Sequence, residues 1–415
     1  MSDTPHQEKE EIIALFNYGG GLRGLVPAHM MTRIEKMTGH QMSNMVDVFC
    51  GPSTGSILNA ALTIPHPVHA DRAKYYARHL VRFYEREALN IFPPDKLREM
   101  RGLIHDFNHR LIKFSHLEKI FKRGHYDPKN LAAALNALFG DHKLSDSRTS
   151  LIVPVYNIDR RPANVAHNYD PREKYMWGST PIINEGGHAT WFKNMKFNPE
   201  DRQTYNITPD VSLFDLVMAS CSAPTFFPCH AFQAEWPDER GKKNYAGIDG
   251  NIFDNPAVSY FGAIRKNLLP HQKVTMIGLG TGSMNTSIPK EVWNRFGSLG
   301  VVDPVNDLPL INIFFHASES ALLHGFLTET GQDLHIFNKT IDRDSTASNM
   351  PSVEIDDGSP ENLKKLRLFA EEIMEENHKQ LEHVCHILSK NRDKKLRQQK
   401  EEEKWTKRFF SFMKN

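Results

Sequence analysis

The pentapeptide Gly51-Pro52-Ser53-Thr54-Gly55 fits the pattern G-x-S-x-G. A serine in that setting occupies a sharp, strained turn, and the flanking glycines leave the turn room to close. Its hydroxyl then stands at the start of a helix, where the dipole favours developing negative charge. Those are the requirements of a nucleophile, so Ser53 is the candidate, with Gly51 and Gly55 in support. A serine hydroxyl also needs a base. Of the 21 histidines, His230 and His271 are best placed along the chain for a Ser-His-Asp arrangement, although neither stands in a strand-end motif. Asp249, in Ala246-Gly247-Ile248-Asp249-Gly250-Asn251, is an acid in a tight turn after a short apolar element. His105 and His109 have the i, i+4 spacing of a metal pair, but no glutamate lies between them in the order H-E-x-x-H.

A second motif precedes the serine. Gly19, Gly21 and Gly24 satisfy G-x-G-x-x-G between an apolar run and a helical pattern. One reading is a dinucleotide site, which needs an acid at the carboxyl end of the next strand to hold the ribose. That strand ends in Phe49-Cys50-Gly51, and Asp47 is expected to point into packed protein. The other reading uses the same backbone differently. Successive N–H groups at a helix N-terminus offer donors to any anion, including a transient oxyanion.

The elements that must position these residues follow from hydrophobic period and punctuation. Residues 11–18 and 46–50 are short apolar runs that stop at glycine turns, which reads as buried strands. Val26, Met30, Ile34 and Met37 recur at helical spacing before Gly39, and residues 57–62 begin a second apolar helix. Strand, helix, strand, helix within 65 residues predicts a parallel sheet with right-handed crossovers. Further strands are expected at 151–155 and 274–279, and a helix at 213–221. Residues 160–210 read as an extended excursion with short antiparallel strands. Leu366, Phe369, Ile373, Asn377, Leu381, Val384 and Leu388 mark one long amphipathic helix over 361–388, interrupted in its stripe only by Asn377. The expected divisions are a disordered N-terminus over 1–10, a catalytic domain over 11–330, a C-terminal segment with the long helix over 331–389, and a basic-aromatic tail over 390–415.

Composition narrows the function classes. The 415 residues are 40% hydrophobic, enough for a sizeable core, and the net charge of +1 gives no reason to expect a nucleic-acid partner. No run approaches the ~18 apolar residues of a spanning helix. The polar first ten residues do not resemble a secretory signal, and four cysteines without a CxxC pair suit a reducing compartment. The expected location is cytoplasmic, peripheral to membranes where the substrate requires it, and export as an effector stays open.

Taken in order, the motifs resemble the patatin-like phospholipases, a family of Ser–Asp lipid acyl hydrolases. Gly19-Gly20-Gly21-Leu22-Arg23-Gly24 is similar to the family's oxyanion loop and Gly51–Gly55 to its nucleophile elbow. Residues 219–228 (ASCSAPTFFP), Ile248–Asn251 with Asn255-Pro256, and Leu279-Gly280-Thr281-Gly282 are similar to three later blocks. The resemblance spans about residues 11–285. It implies an α/β three-layer fold with a mostly parallel central sheet, extended by C-terminal helices. It further implies Ser53 as nucleophile, Asp249 as general base and oxyanion N–H groups from Gly20, Gly21, Leu22 and Thr54, with Arg23 as the loop arginine. The chain departs from the family at Tyr18, where Asp is usual, at Pro52, where Thr is common, and at Asn251, where Gly or Ala is usual. Those departures keep a second reading in view, a catalytically lapsed lipid-binding or scaffold protein.

The implied substrate is a phospholipid or lysophospholipid, with no cofactor or metal, and an activating protein partner is left open. A free carboxylate of pKa about 4 is a weak base for a serine hydroxyl. Burial must therefore raise Asp249, and proton transfer must accompany attack. At the C-terminus, residues 389–415 hold ten Lys or Arg against four Asp or Glu, for a charge of +6, while the remainder carries −5. Trp405, Phe409 and Phe412 fall at i, i+4, i+7 among these cations. That face suits either docking on the protein or contact with an anionic bilayer.

Overall fold

The computed structural model describes residues 9–69, 71–93, 126–158, 187–197, 209–224, 226–237, 241–284, 288–300, 309–330, 333–342 and 349–412. Its centre is strand β1 (Glu10–Asn17), buried from Ile12 to its end. The run Ile-Ile-Ala-Leu-Phe is apolar at every position because both faces of the strand are covered. Ile13 and Leu15 pack with Phe49, Leu151 and Val153, while Ile12, Ala14 and Phe16 pack with Val48, Cys50 and Ile152 on the other face. Helices close both sides. The first face receives α1 (Leu25–Thr38), α2 (Thr54–Thr63), α3 (Ala77–Ile91), α4 (Pro128–Phe139) and α5 (Leu213–Ser220). The second receives Tyr260, Ala263 and Ile264, with Phe326 from a helix over Pro309–Thr330. The result is the three-layer α/β/α arrangement.

Parallel pairing joins β1 to β2 (Val48–Cys50) and to β7 (Gln272–Leu279), β2 to β3 (Ser150–Asn157), and β7 to β9 (Leu334–Phe337). Antiparallel strands complete the other end: β4 (His188–Asn194) and β6 (Lys242–Asp249) on β3, and β5 (His230–Glu235) on β6. A two-stranded sheet pairs β8 (Ser283–Met284) with β10 (Thr340–Ile341).

The register around β3 decides where the site forms. β4 pairs with residues 151–157 of β3, so it occupies one whole edge. β2 pairs with 150–152 and β6 with 155–157, so these two share the opposite edge. They run in opposite directions. Cys50, the last residue of β2, lies opposite Ile152, and Asp249, the last residue of β6, lies opposite Val155. The two carboxyl ends therefore meet head to head across Val153 and Pro154.

The C-terminal segment differs from its sequence reading. β9 extends the main sheet beyond residue 330, so sheet and C-terminal segment are not separate bodies. The stripe from Leu366 to Leu388 is buried as expected, but on two helices, Pro360–Glu376 and His378–Phe412. Asn377 separates them, and its amide donates to the Ile373 carbonyl at 2.8 Å. The second helix runs on through residue 390, where a separate tail was expected. There Asn391 donates to the Met45 carbonyl and to Asp47, Lys394 to the Glu11 carbonyl, and Lys395 to the Val46 carbonyl, each at 2.7–2.8 Å. The first basic turns of the supposed tail thus clamp the amino ends of β1 and β2. Trp405 is 66% exposed, while the side chains of Phe409 and Phe412 lie outside the described residues. Residues 1–8, His105, His109 and most of 160–210 also lie outside them.

Candidate active site

Ser53 sits where β2 turns into α2, with φ 54° and ψ −130°. It is the only non-glycine residue with positive φ among the described residues. Such a conformation persists only where its surroundings over-determine it, and here several contacts do. A Cβ at Gly51 or at Gly55 would overlap the Asn17 carbonyl oxygen, so both glycines let the elbow press against the end of β1. The Pro52 carbonyl accepts the Gly55 N–H at 2.9 Å, and the Ser56 hydroxyl donates to the Ser53 carbonyl at 2.6 Å.

Asp249 ends β6 and is 3% exposed. Its Oδ1 accepts the Asn251 N–H at 2.8 Å, and its own N–H donates to the Ser222 carbonyl at 3.0 Å. Burial pushes the carboxyl up from 3.8 to about 7, against the Asn251 N–H and a hydrogen bond from the Ser53 side chain, which favour the charged form. Hydroxyl and carboxyl, nearly two hundred residues apart in sequence, lie close enough for the Ser53 side chain to act on the ionisation of Asp249.

The glycine loop completes the arrangement. A Cβ at Gly19 would lie 2.7 Å from Asn251 Oδ1 and 3.2 Å from Ser53 Cβ, so this loop lies directly beside both motifs. The Thr281 hydroxyl ties it to the end of β7 by donating to the Gly19 carbonyl at 2.7 Å. The N–H groups of Gly20, Gly21 and Thr54, at the starts of their helical turns, donate to no acceptor among the described residues. Leu22 departs from expectation. Its N–H donates to the Ile355 carbonyl at 2.7 Å, so it holds the loop to the C-terminal segment and is not available to an oxyanion. Arg23 is buried, and burial lowers its pKa to about 10; its Nε and Nη1 meet no acceptor among the described residues.

Neither candidate histidine reaches the serine. His230 Nε2 bonds Asp215 Oδ1 at 2.9 Å, and His271 lies beside Glu10 at the amino end of β7. Asp47, the acid a nucleotide site would recruit, accepts the Ile13 N–H at 2.9 Å and the Asn391 amide at 2.8 Å. It is a joint between β1, β2 and the last helix. Sequence reasoning passed over Tyr84, whose buried hydroxyl is hydrogen-bonded to Thr54 Oγ1 and so braces the start of α2. Within the pattern of α3 it reads only as a core aromatic, and no sequence signal marks the bond.

A family model for patatin-like phospholipase matches residues 18–261, more than half of the chain, and the chain belongs to that family of lipid acyl hydrolases. Patatin-like protein 2 of Arabidopsis thaliana is 25% identical over 382 residues, covering 86% of this chain and 81% of the relative. Patatin-like protein 2 of Oryza sativa subsp. indica is 22% identical over 396 residues, covering 89% and 85%. The crystal structure of VipD from Legionella pneumophila is similar over 88% of this chain and 66% of that one, with a TM-score of 0.31 and 12% identity.

Proposed function

We propose that this chain hydrolyses acyl esters of phospholipids or lysophospholipids through a Ser53–Asp249 dyad. The observation that carries the reading is the buried Asp249 carboxyl at the end of β6, head to head with β2 and its strained Ser53 elbow, and close enough for Ser53 to act on its ionisation. Ser53 Oγ attacks the ester carbonyl as its proton passes to Asp249, and the tetrahedral oxyanion is received by the N–H groups of Gly20, Gly21 and Thr54. Collapse expels the alcohol, which takes the proton from Asp249, and leaves an acyl-serine. Water, deprotonated by the same carboxylate, then attacks the acyl-serine, and the fatty acid leaves as Asp249 returns that proton to Ser53 Oγ. A base near pKa 7 is better matched to this work than one near 4. Each oxyanion donor contributes about 10²–10³ in turnover. The direct test is product analysis from mixed phospholipid vesicles, with and without added cell lysate. Free fatty acid that needs Ser53 supports the reading, and dependence on lysate identifies an activating partner. Vesicle binding without turnover in both arms favours the lapsed scaffold.

The pH dependence follows from the direction of the shift. The base works ionised, so activity rises with pH through about 7 and is lost on acidification. Asp254 and Glu35 are buried carboxyls also raised to about 7. The acid limb is therefore expected to persist in Asp254→Asn and Glu35→Gln. A flat kcat/KM between pH 5.5 and 8 contradicts an Asp249 base.

The end of the last helix provides the membrane contact in this reading. No helix among the described residues is long and apolar enough to cross a bilayer, so this reading places the contact at the surface of the membrane. Because Asn391, Lys394 and Lys395 are committed to the sheet, the relevant truncation ends at Gln399. Loss of residues 400–415 is expected to weaken co-sedimentation with anionic vesicles, and added salt to weaken it for the full chain. Equal binding by both proteins removes the tail from membrane contact.

A further inference from the structure

We propose that Ser220 is a positioning residue for this hydrolysis: its hydroxyl spans the gap between β2 and β6, tying the backbone of Ser53 to the strand edge beside Asp249. The proposal rests on the Ser53–Asp249 reading and adds to it what holds the pair in register.

The gap exists because β2 and β6 stop head to head on one edge of β3, leaving Val153 and Pro154 between them. Within a strand, the N–H and C=O of one residue face the same edge. The Pro154 carbonyl faces the gap, and because proline has no N–H no orphan donor is left beside it. Ser220 Oγ fills the space. It donates to the Pro154 carbonyl at 2.8 Å and accepts the Ser53 N–H at 3.1 Å. Its proton has one possible destination, because a carbonyl only accepts and an amide N–H only donates. The side chain is 0% exposed, so no water competes for either bond. The same Pro154 carbonyl touches the residue after the base, since a Cβ at Gly250 would overlap it. Two residues along, the Ser222 carbonyl accepts the Asp249 N–H at 3.0 Å. One short segment thus grips the nucleophile through a side chain and the base through its backbone. Polar chains of this kind strengthen one another in a low-dielectric interior. A displacement of about 1 Å at a reacting group is enough to cost about 10²-fold in rate.

The test compares Ser220→Ala with Thr63→Val, another fully buried hydroxyl, which lies at the far end of α2 and bonds only the Ala60 carbonyl at 2.8 Å. Both are measured for Tm and for kcat and KM on a short-chain p-nitrophenyl ester. Ser220→Ala is expected to lower kcat by about 10–100-fold with KM changed less than about twofold, while Thr63→Val keeps its kcat at a comparable Tm loss. If Ser220→Ala does not fold, Ser220→Cys carries the test, because a thiol of similar size keeps both contacts in weaker form. Its kcat is then expected to fall by several-fold at unchanged KM. Unchanged kcat in a folded Ser220 variant, or a parallel loss in Thr63→Val, overturns the proposal. A Ser53→Ala enzyme that is still active sinks the dyad reading instead, so the two failures are distinct.

Discussion

Ser53→Ala and Asp249→Asn are each expected to reduce ester turnover by about 10⁴-fold or more, because residues of one nucleophile–base unit fail together. Their effects on stability should differ. Asp249 is buried, and its ionised form is opposed by desolvation, which lifts its pKa from 3.8 to about 7. A raised carboxyl contributes favourably only where it is protonated, and that contribution disappears as pH rises from about 4 through 7. Asp249→Asn removes the ionisation and keeps an oxygen for the Asn251 N–H. The variant is expected to melt above the parent at pH 8 and to match it near pH 4. Thermal melts at the two pH values, with turnover at pH 8, check both halves. A variant that is folded and active has no general base at 249; one that melts lower at pH 8 shows that the carboxylate is not a buried cost.

Alanine at Gly51 should nearly equal the loss of the nucleophile in its effect on activity, although it touches no reacting atom. Gly51 has φ 140°, and an added Cβ would overlap the backbone oxygen of Asn17, at the end of the central strand. Backbone on both sides leaves no flexible side chain to yield. The expected destabilisation is about 3 kcal/mol or more, from a disallowed backbone and overpacking together. Relaxation of the strain would also move Ser53. Gly39→Ala separates these causes: it has φ 73° but nothing within 4 Å, so it carries the left-handed backbone cost of about 1–2 kcal/mol alone. Chemical denaturation with fluorophosphonate labelling of both variants is the measurement. Equal stability losses would mean that contact with Asn17 contributes nothing to the elbow.

The parts of the site that were legible beforehand are those made by adjacent residues. A buried strand must be apolar and must end in residues that permit a turn, so the ends of β1 and β2 stand out with their glycines attached. The capping residue Gly39, with φ 73° and its N–H on the Glu35 carbonyl, follows from the same local physics. Leu22 shows where this stops. Its N–H is indistinguishable in sequence from those of Gly20 and Gly21, yet it is taken by a carbonyl more than three hundred residues away. The helix over 361–388 shows the same limit. Its apolar stripe continues across Asn377, so the periodicity persists although the backbone does not.

Local chemistry was thus determined by the chain alone: a serine able to sit in a strained turn, an acid closing a short strand, and a loop with spare amide donors. Tertiary structure decided that they meet, which amide donors stay open, and that Ser220 lies between the partners. The physical reason is that turn strain, capping and hydrophobic period act over a few residues, and pattern records them. The meeting of Ser53 and Asp249 depends on two strands ending head to head against one edge of a third. That register is set by the packing of the whole sheet, which no short stretch of sequence encodes.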